Sequence, residues 1–220
     1  MKFKKATYHV QIADMLRDMI MTGKLEEGDK VNEGELCETM GISKTPLREA
    51  LRVLSVEGLI RLVPNRGAFV TKPTFEEIAE MFAVMSLLEG FCAREACERM
   101  TPRDFARLEK LHAKLEESFE RRDQEEYIRI NNQLHSFVQE IAGNRTLNQI
   151  VAGLRKKILL YRFQSLNLPV RFERSIREHR DLLEAFRQRD HTRAETLMRE
   201  HLHNQSQALE TLVAQSKAVI

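Results

Sequence analysis

Four polar side chains occupy positions where apolar residues are expected in the C-terminal two thirds of the chain. Asn131 and His135 lie four residues apart within the apolar stripe of one predicted helix, and His179 and His201 interrupt the stripes of two others. Buried polar groups persist when they are hydrogen-bonded or hold a ligand. The pattern is therefore compatible with a hydrogen-bond network, but a shared divalent metal ion is the more economical interpretation. Three imidazoles and an oxygen suit zinc, nickel and other divalent ions alike.

Two other histidines can be compared with these candidate metal ligands. His203 shares a helix face with charged and polar residues and is expected to be exposed, so it serves as a control. His112 lies beside Leu108, Leu111 and Leu115 and remains an ambiguous candidate. Glu178 is next to His179 in sequence and is therefore expected to point elsewhere on the helix, so no carboxylate is predicted to act as a general base near the histidines.

A second set of residues indicates DNA binding. The segment LCETMGISKTPLREALRVLSVEG predicts two helices with a tight turn between them, the first capped by Asn32 with Glu35 and stopped at Gly41. Thr45 before Pro46 is the predicted cap of the second helix, with Ser43 as the competing cap. The apolar positions of this helix leave a cationic face with Arg48 and Arg52, and Lys44 and Thr45 lie at its start. Spacing alone does not distinguish this face from an ordinary solvated one.

The segments around this helix pair favour a DNA-binding module. Residues 6–22 predict an amphipathic helix, and residues 23–31 a charged connector. After Gly58, two short strand-like runs flank the turn-forming residues VPNRG, which predicts a two-stranded wing. The tip of this wing carries Arg66 beside Gly67, where a long cation adjoins a residue that allows close approach of a phosphate.

The remaining residues predict an all-helical domain. Helical stripes begin near Thr74, Pro102, Asp123, Thr146, Arg171 and Asp190, which predicts a six-helix bundle. The fold class is thus mainly α, with a winged helix-turn-helix domain at 1–72 and a helical metal-binding, effector-binding and dimerisation domain at 73–220.

Composition restricts the classes of protein. The chain has 220 residues with a net charge of only +2, so any DNA affinity must come from local placement of cations. Its three cysteines show no CxxC spacing, which favours reduced thiols. No apolar run approaches the roughly 18 residues of a membrane helix. We therefore expect a cytoplasmic protein that does not bind membranes.

Residues 6–72 closely resemble the DNA-binding domain of GntR-type bacterial transcription regulators, along LEEGDKVNEGELCETMGISKTPLREALRVLSVEGLIRLVPNRGAFV. The resemblance implies DNA contacts from Ser43, Lys44, Arg48, Arg66 and Gly67. Gly34 departs from the pattern, because relatives often place there an arginine that also touches DNA.

Residues 76–215 resemble the all-helical effector (FCD) domain of the FadR subgroup, whose metal-binding members carry a D/N-x-x-x-H pair and two later histidines. The resemblance implies metal ligation by Asn131, His135, His179 and His201, within the landmarks QLHSFVQEIAGN and EHRDLLEAF. Many relatives have aspartate at the first of these positions. With Asn131 no ligand offsets the charge of the ion, so we predict that a small carboxylate or other oxyanion effector binds the metal directly.

A second departure concerns the first helix of this domain. Relatives commonly carry an arginine four residues before a glutamate, where it helps to hold an acid, whereas this chain has Met85 before Glu89. The effector is therefore expected to be less acidic or smaller than usual. Arginines that could substitute are Arg94, Arg155, Arg162 and Arg177.

The function predicted from these patterns is a metabolite-responsive transcription regulator that binds a pseudo-palindromic double-stranded operator as a homodimer. Two alternatives remain open. One is a metal-dependent, hydrolase-like enzyme with an appended winged helix, and the other is a regulator whose bundle holds no metal and uses the four polar residues as a hydrogen-bond network.

Overall fold

The computed structural model describes residues 5–71, 73–166 and 168–217. The first part of the chain forms α1 (Lys5–Met21), α2 (Glu33–Met40), α3 (Lys44–Val56), β1 (Ile60–Val63) and β2 (Gly67–Val70). The second part forms α4 (Phe75–Arg99), α5 (Pro102–Glu120), α6 (Gln124–Ala142), α7 (Arg145–Leu166), α8 (Pro169–Arg187) and α9 (His191–Lys217). This architecture confirms the predicted fold class.

The chain divides into two compact units, Met1–Thr74 and Phe75–Ile220. The boundary predicted from the sequence falls at Lys72, which lies outside the described residues. Each unit has its own apolar interior, one around Leu16, Leu47 and Leu54 and the other around Tyr127 and Phe172. Within the described residues, no helix is long and apolar enough to cross a membrane.

The helix-turn-helix has the predicted caps at α2 but not at α3. Asn32 accepts a hydrogen bond from the backbone of Glu35 at 3.3 Å, and Gly41 ends α2 with a φ of 64°. The prediction that Thr45 caps α3 is wrong, since the cap is Ser43 and the helix begins at Lys44. The reason is that the first turn of a helix has no intrahelical partners for its N–H groups, so Pro46 is tolerated anywhere within that turn and does not define its start.

The wing has more backbone pairing than the sequence indicates. Its two strands are antiparallel, with Ile60 opposite Val70 and Val63 opposite Gly67. The segment before α2, predicted as a plain connector, pairs with the outer side of β2. The backbone N–H of Val31 donates to Ala68 at 2.9 Å, and Lys30 forms a β-bridge with Phe69. This pairing fixes the wing against the segment that leads into α2.

The helical unit follows the predicted capping and periodicity. Thr101 and Asp104 form a reciprocal capping box at the start of α5, while Asp123 caps α6 and Gly143 ends it in a left-handed conformation. Helices α4 and α9 approach closely at Gly90, where an added Cβ would lie 2.4 Å from Cγ of Arg199. This close packing brings the interior-facing residues of α4 near those of α6 and α9.

Candidate metal centre and DNA-binding surface

Three histidines from different helices converge in the helical unit. His135 on α6, His179 on α8 and His201 on α9 are each at most 1% exposed. Their ring centroids lie 4.7 to 5.4 Å apart, and one potential ligand atom from each lies within 4.8 Å of the others. Each histidine occupies the buried face of its helix because its helical neighbours are apolar. The convergence cannot be read from any single helix, since it depends on how the three pack.

Asn131 lies one turn before His135 and completes the set predicted from the sequence. Its side chain is buried, and its Oδ1 lies 2.7 Å from Nε2 of His179. The structure thus brings all four predicted metal-site residues to one place. His203, the control, is exposed.

A buried carboxylate that the ligand prediction did not include holds His135. Glu89 on α4 is 1% exposed, and its Oε2 lies 2.8 Å from Nδ1 of His135. Arg155 on α7 pairs with the same carboxylate, with Nε donating to Oε1 at 2.8 Å and Nη2 to Oε2. The signal for Glu89 was its position on the apolar stripe of α4, between Met85 and Cys92. Its partners lie 46 and 66 residues away and could not be inferred from that stripe.

A second carboxylate holds His201, and it corrects an expectation. Glu178 was predicted to point away from the histidines, yet its Oε2 lies 2.7 Å from Nδ1 of His201. The buried guanidinium of Arg171 pairs with Glu178 at 2.8 Å, and Nδ2 of Asn204 donates to it at 2.8 Å. The prediction was wrong because it considered only the histidine on the same helix, whereas the partner of Glu178 comes from α9.

The electrostatics of the site favour ionised carboxylates at Glu89 and Glu178 and neutral rings at His135 and His179. Burial alone raises the pKa of Glu89 and of Glu178, but their partners outweigh it. Arg155 and His135 hold the pKa of Glu89 well below its ordinary value, and His201 and Arg171 lower the pKa of Glu178 to about 2. Burial lowers the pKa of His135 well below its ordinary value, as it does for the pKa of His179. A neutral imidazole has one nitrogen lone pair to offer a metal.

The donor set fits a divalent metal ion. The hydrogen bond from Nδ1 of His135 to Glu89 assigns its proton to Nδ1 and its lone pair to Nε2. This Nε2 is buried and has no hydrogen-bond partner among the described residues. Neutral imidazoles held by carboxylates, with an amide oxygen beside them, are typical ligands of zinc and related ions.

The arginines considered as effector ligands have other partners. Arg155 pairs with Glu89, Arg94 pairs with glutamates on α4 and α9, and Arg177 donates to the backbone of Glu173. The side chain of Arg162 lies outside the described residues. Met85 is fully buried in an apolar cluster with Phe82, Ile158 and Leu202. Of the three described arginines, Arg155 is the one connected to the histidine cluster, through Glu89.

The residues predicted to contact DNA lie along the exposed side of α3. Ser43, Lys44, Thr45, Arg48 and Arg52 are all exposed. Ser43 makes no side-chain capping bond and is exposed at the N-terminus of α3, and a helix N-terminus is a favourable place for a phosphate. Arg48 is 64% exposed in its side chain and pairs with Glu33 at 2.9 Å.

The wing lies beside this helix and forms a groove with it. Arg48 and Arg52 line one wall of the groove and Asn65 and Gly67 the other. Gly67 has a φ of 101°, a conformation that favours glycine, and Arg66 lies over the ring of Phe69 with 5.9 Å between guanidinium carbon and centroid. Helix α3 and the wing tip therefore border the same groove.

These features define a class of protein: a DNA-binding transcription regulator with a helical second domain. Residues 9–70 match the family described as bacterial regulatory proteins, gntR family, and residues 80–204 match the FCD domain. The chain belongs to the GntR family of bacterial transcription regulators and carries an FCD domain.

Three similar proteins illustrate this membership. The chain is 24% identical to the HTH-type transcriptional regulator YdhC of Bacillus subtilis, over 97% of this chain and 96% of that one. It is 25% identical to the HTH-type transcriptional repressor RspR of Escherichia coli, over 90% and 87% of the two chains. The solved structure of E. coli McbR/YncC has the same fold, with a TM-score of 0.76 at 22% identity, covering 94% of this chain and 98% of that one. These comparisons confirm the prediction of a regulator over an enzyme.

The buried pair of Glu89 and Arg155 generates a stability prediction. Glu89→Gln keeps the shape of the side chain but leaves the charge of Arg155 without a counter-charge, so we expect the helical unit to lose roughly 3–5 kcal/mol of unfolding free energy. Glu117→Gln, which breaks the exposed pair with Arg121, should cost less than about 1 kcal/mol. Denaturant titration followed by circular dichroism measures both. Equal losses in the two variants would contradict the role given to Glu89.

Proposed function

We propose that this regulator is a cytoplasmic homodimer that binds a pseudo-palindromic operator and senses a small carboxylate or related oxyanion through a divalent metal ion in its helical domain. The observation that carries the proposal is the convergence of three buried imidazoles with the oxygen of Asn131. Buried polar groups of this kind are costly unless they are paired or hold a ligand.

The metal would be held by Asn131, His135, His179 and His201, with zinc and nickel best suited to the donors. Glu89 and Glu178 each hold Nδ1 of one histidine, so Nε2 is the nitrogen that His135 and His201 would present. The bound ion would supply a positive charge and coordination positions open to an oxyanion. The chain contributes orientation of the rings and exclusion of water.

The charges around the cluster support an anionic effector. None of the four ligands is charged, and the two nearby carboxylates each have a guanidinium partner, Arg155 for Glu89 and Arg171 for Glu178. Arg174 also contacts Glu178, at 3.2 Å, so the two carboxylates have no negative charge to spare and the charge of a divalent ion would remain uncompensated by the protein. An anion entering from solution would supply that compensation.

A homodimer is supported by an exposed apolar stripe on α4. Val84, Leu87 and Phe91 are 40 to 53% exposed, and their spacing places them on one side of the helix. Exposed apolar patches of this kind are typical of protein interfaces, and a symmetric dimer uses the same patch on both subunits. Two-fold symmetry would match a pseudo-palindromic operator.

Operator binding is proposed for the helix and wing groove. The N-terminus of α3, with Ser43 and Lys44, would bind phosphate, and Arg48 and Arg52 would reach base edges in the major groove. Arg66 and Gly67 at the wing tip would contact the backbone or the minor groove. For regulation, effector binding must favour one of two states that differ in operator affinity, because a ligand shifts an equilibrium only through differential affinity.

A regulator without metal is the remaining alternative. In that case His179 and Asn131 would simply share a hydrogen bond, as their 2.7 Å separation allows. Metal analysis of protein purified without added chelator distinguishes the two forms of the regulator.

Substitutions in the two units should affect operator binding and metal binding separately. We expect Arg48→Ala to weaken operator binding at least about tenfold, as loss of one base-contacting arginine does, and to leave metal content unchanged. His179→Ala should lose most of its metal, while its DNA-binding unit stays folded. Operator binding by fluorescence anisotropy and metal content by plasma mass spectrometry measure the two properties.

The matched control is Arg103→Ala, which makes the same change in net charge at an exposed position of α5. It should change neither property. Normal operator binding by Arg48→Ala would overturn the proposed role of α3 in operator binding. Full metal content in His179→Ala would overturn the proposed set of metal ligands.

The uncompensated charge of the metal ion predicts that anionic effectors bind tightly only when the metal is present. Calorimetric titration of small carboxylates should show binding to metal-loaded protein and much weaker binding to metal-free protein. Asn131→Asp adds one negative charge at nearly constant shape, so it should retain metal but bind the same carboxylate about tenfold or more weakly, a change of ~1.4 kcal/mol. Equal affinity of metal-free and metal-loaded wild type would contradict direct ligation of the metal by the effector.

A further inference from the structure

His179 differs from the other two clustered histidines in the partner of its second ring nitrogen. Nδ1 of His135 and Nδ1 of His201 each contact a carboxylate, at 2.8 and 2.7 Å. Nε2 of His179 lies against Asn131, and its Nδ1 is buried with no hydrogen-bond partner among the described residues. Histidines that bind metals almost always donate their other N–H to a carboxylate, a carbonyl or a water. His179 therefore needs a partner that protein side chains do not supply.

A small cavity adjoins His179 and contains a second unsatisfied nitrogen. Apolar side chains such as Leu108, Phe186 and Met198 line most of this cavity, and the two polar side chains in its lining are His112 and His179. Nε2 of His112 is also buried without a hydrogen-bond partner in the described part of the chain. The two residues that carry these nitrogens thus line the same small cavity.

The size of the cavity suits a single water molecule. The volume that the centre of a water molecule can occupy in this cavity is about 10 Å³. By the same measure a buried water needs roughly 10–15 Å³, together with two to four polar partners. The two imidazole nitrogens provide the minimum number of partners. A larger ligand does not fit without displacement of the apolar lining.

We propose that one buried water bridges Nδ1 of His179 and Nε2 of His112, and that His112 is a positioning residue for His179 as a metal ligand. This inference rests on the metal site of the proposed function. Nδ1–H of His179 donates to the water, and the water donates to Nε2 of His112. The water thus provides for His179 the contact that Glu89 and Glu178 provide directly for the other two histidines.

The other side of His112 is consistent with this arrangement. With Nε2 as acceptor, a neutral His112 carries its proton on Nδ1, which lies 3.8 Å from Oε1 of Glu116. Burial lowers the pKa of His112, which favours the neutral ring. Arg180 holds Glu116 through two hydrogen bonds of 2.8 and 2.6 Å. Glu116 thus lies near one side of the His112 ring, beyond hydrogen-bonding distance, while the cavity shared with His179 lies against the ring as well.

Two substitutions at His112 separate the polar role from the steric one. His112→Phe keeps a ring in the space but removes both nitrogens, so we expect a loss of metal affinity of roughly 10- to 100-fold, measured by competition with a chromogenic chelator. His112→Gln can place an amide group near the position of Nε2 and should recover most of that affinity. Met198→Leu alters the apolar lining at nearly constant volume and should leave metal affinity unchanged.

Two readouts do not depend on metal affinity. A crystal structure of metal-free wild type should show one water within hydrogen-bonding distance of both nitrogens. Nitrogen-15 spectra of the imidazoles should assign the proton of His179 to Nδ1 in wild type. Absence of the water, or a folded His112→Phe with wild-type metal affinity, would overturn the inference. If wild type itself bound no metal, the proposed metal site would fail, and the two outcomes are thus distinguishable.

Discussion

The helical domain depends on two carboxylates placed in its interior. Glu89 ties α4 to α6 through His135 and to α7 through Arg155, and Glu178 ties α8 to α9 through His201. An ionised carboxylate away from water is costly unless charged and hydrogen-bonding partners compensate it, so each of these glutamates restricts which side chains can surround it. The same contacts set the orientation of two imidazole rings. Stability of the domain and geometry of its candidate metal site therefore rest on the same contacts.

Charged residues are arranged differently in the two units. In the helical unit each carboxylate near the histidines is already neutralised by at least one guanidinium group, so neither would compensate the charge of an added cation. In the DNA-binding unit the cations are exposed and cluster on one side, although the whole chain carries a net charge of only +2. In the proposed function one site recognises an ion and the other a polyanion, and composition alone indicates neither.

Periodicity and capping residues were enough to predict the architecture, because each helix of this chain carries its own apolar stripe and most carry recognisable end signals. Asn131, His135, His179 and His201 could be found because each is a polar residue on an apolar stripe. Glu89 is also a polar residue on an apolar stripe, but its sequence position does not indicate that its carboxylate contacts a histidine. The partners of Glu89 and Glu178 depend on contacts between distant helices, and neither local spacing nor capping reports such contacts. The start of α3 was misplaced for a local reason, since proline is tolerated throughout the first helical turn.

The most direct test of the account is X-ray absorption spectroscopy at the edge of the metal that copurifies with the full-length protein. The account predicts a site dominated by nitrogen and oxygen scatterers, with three imidazole ligands at about 2.0–2.1 Å if the ion is zinc. The same measurement on His179→Ala should show the loss of the site or of one imidazole. A spectrum with sulfur ligands, or a wild-type protein that retains no metal, would contradict it.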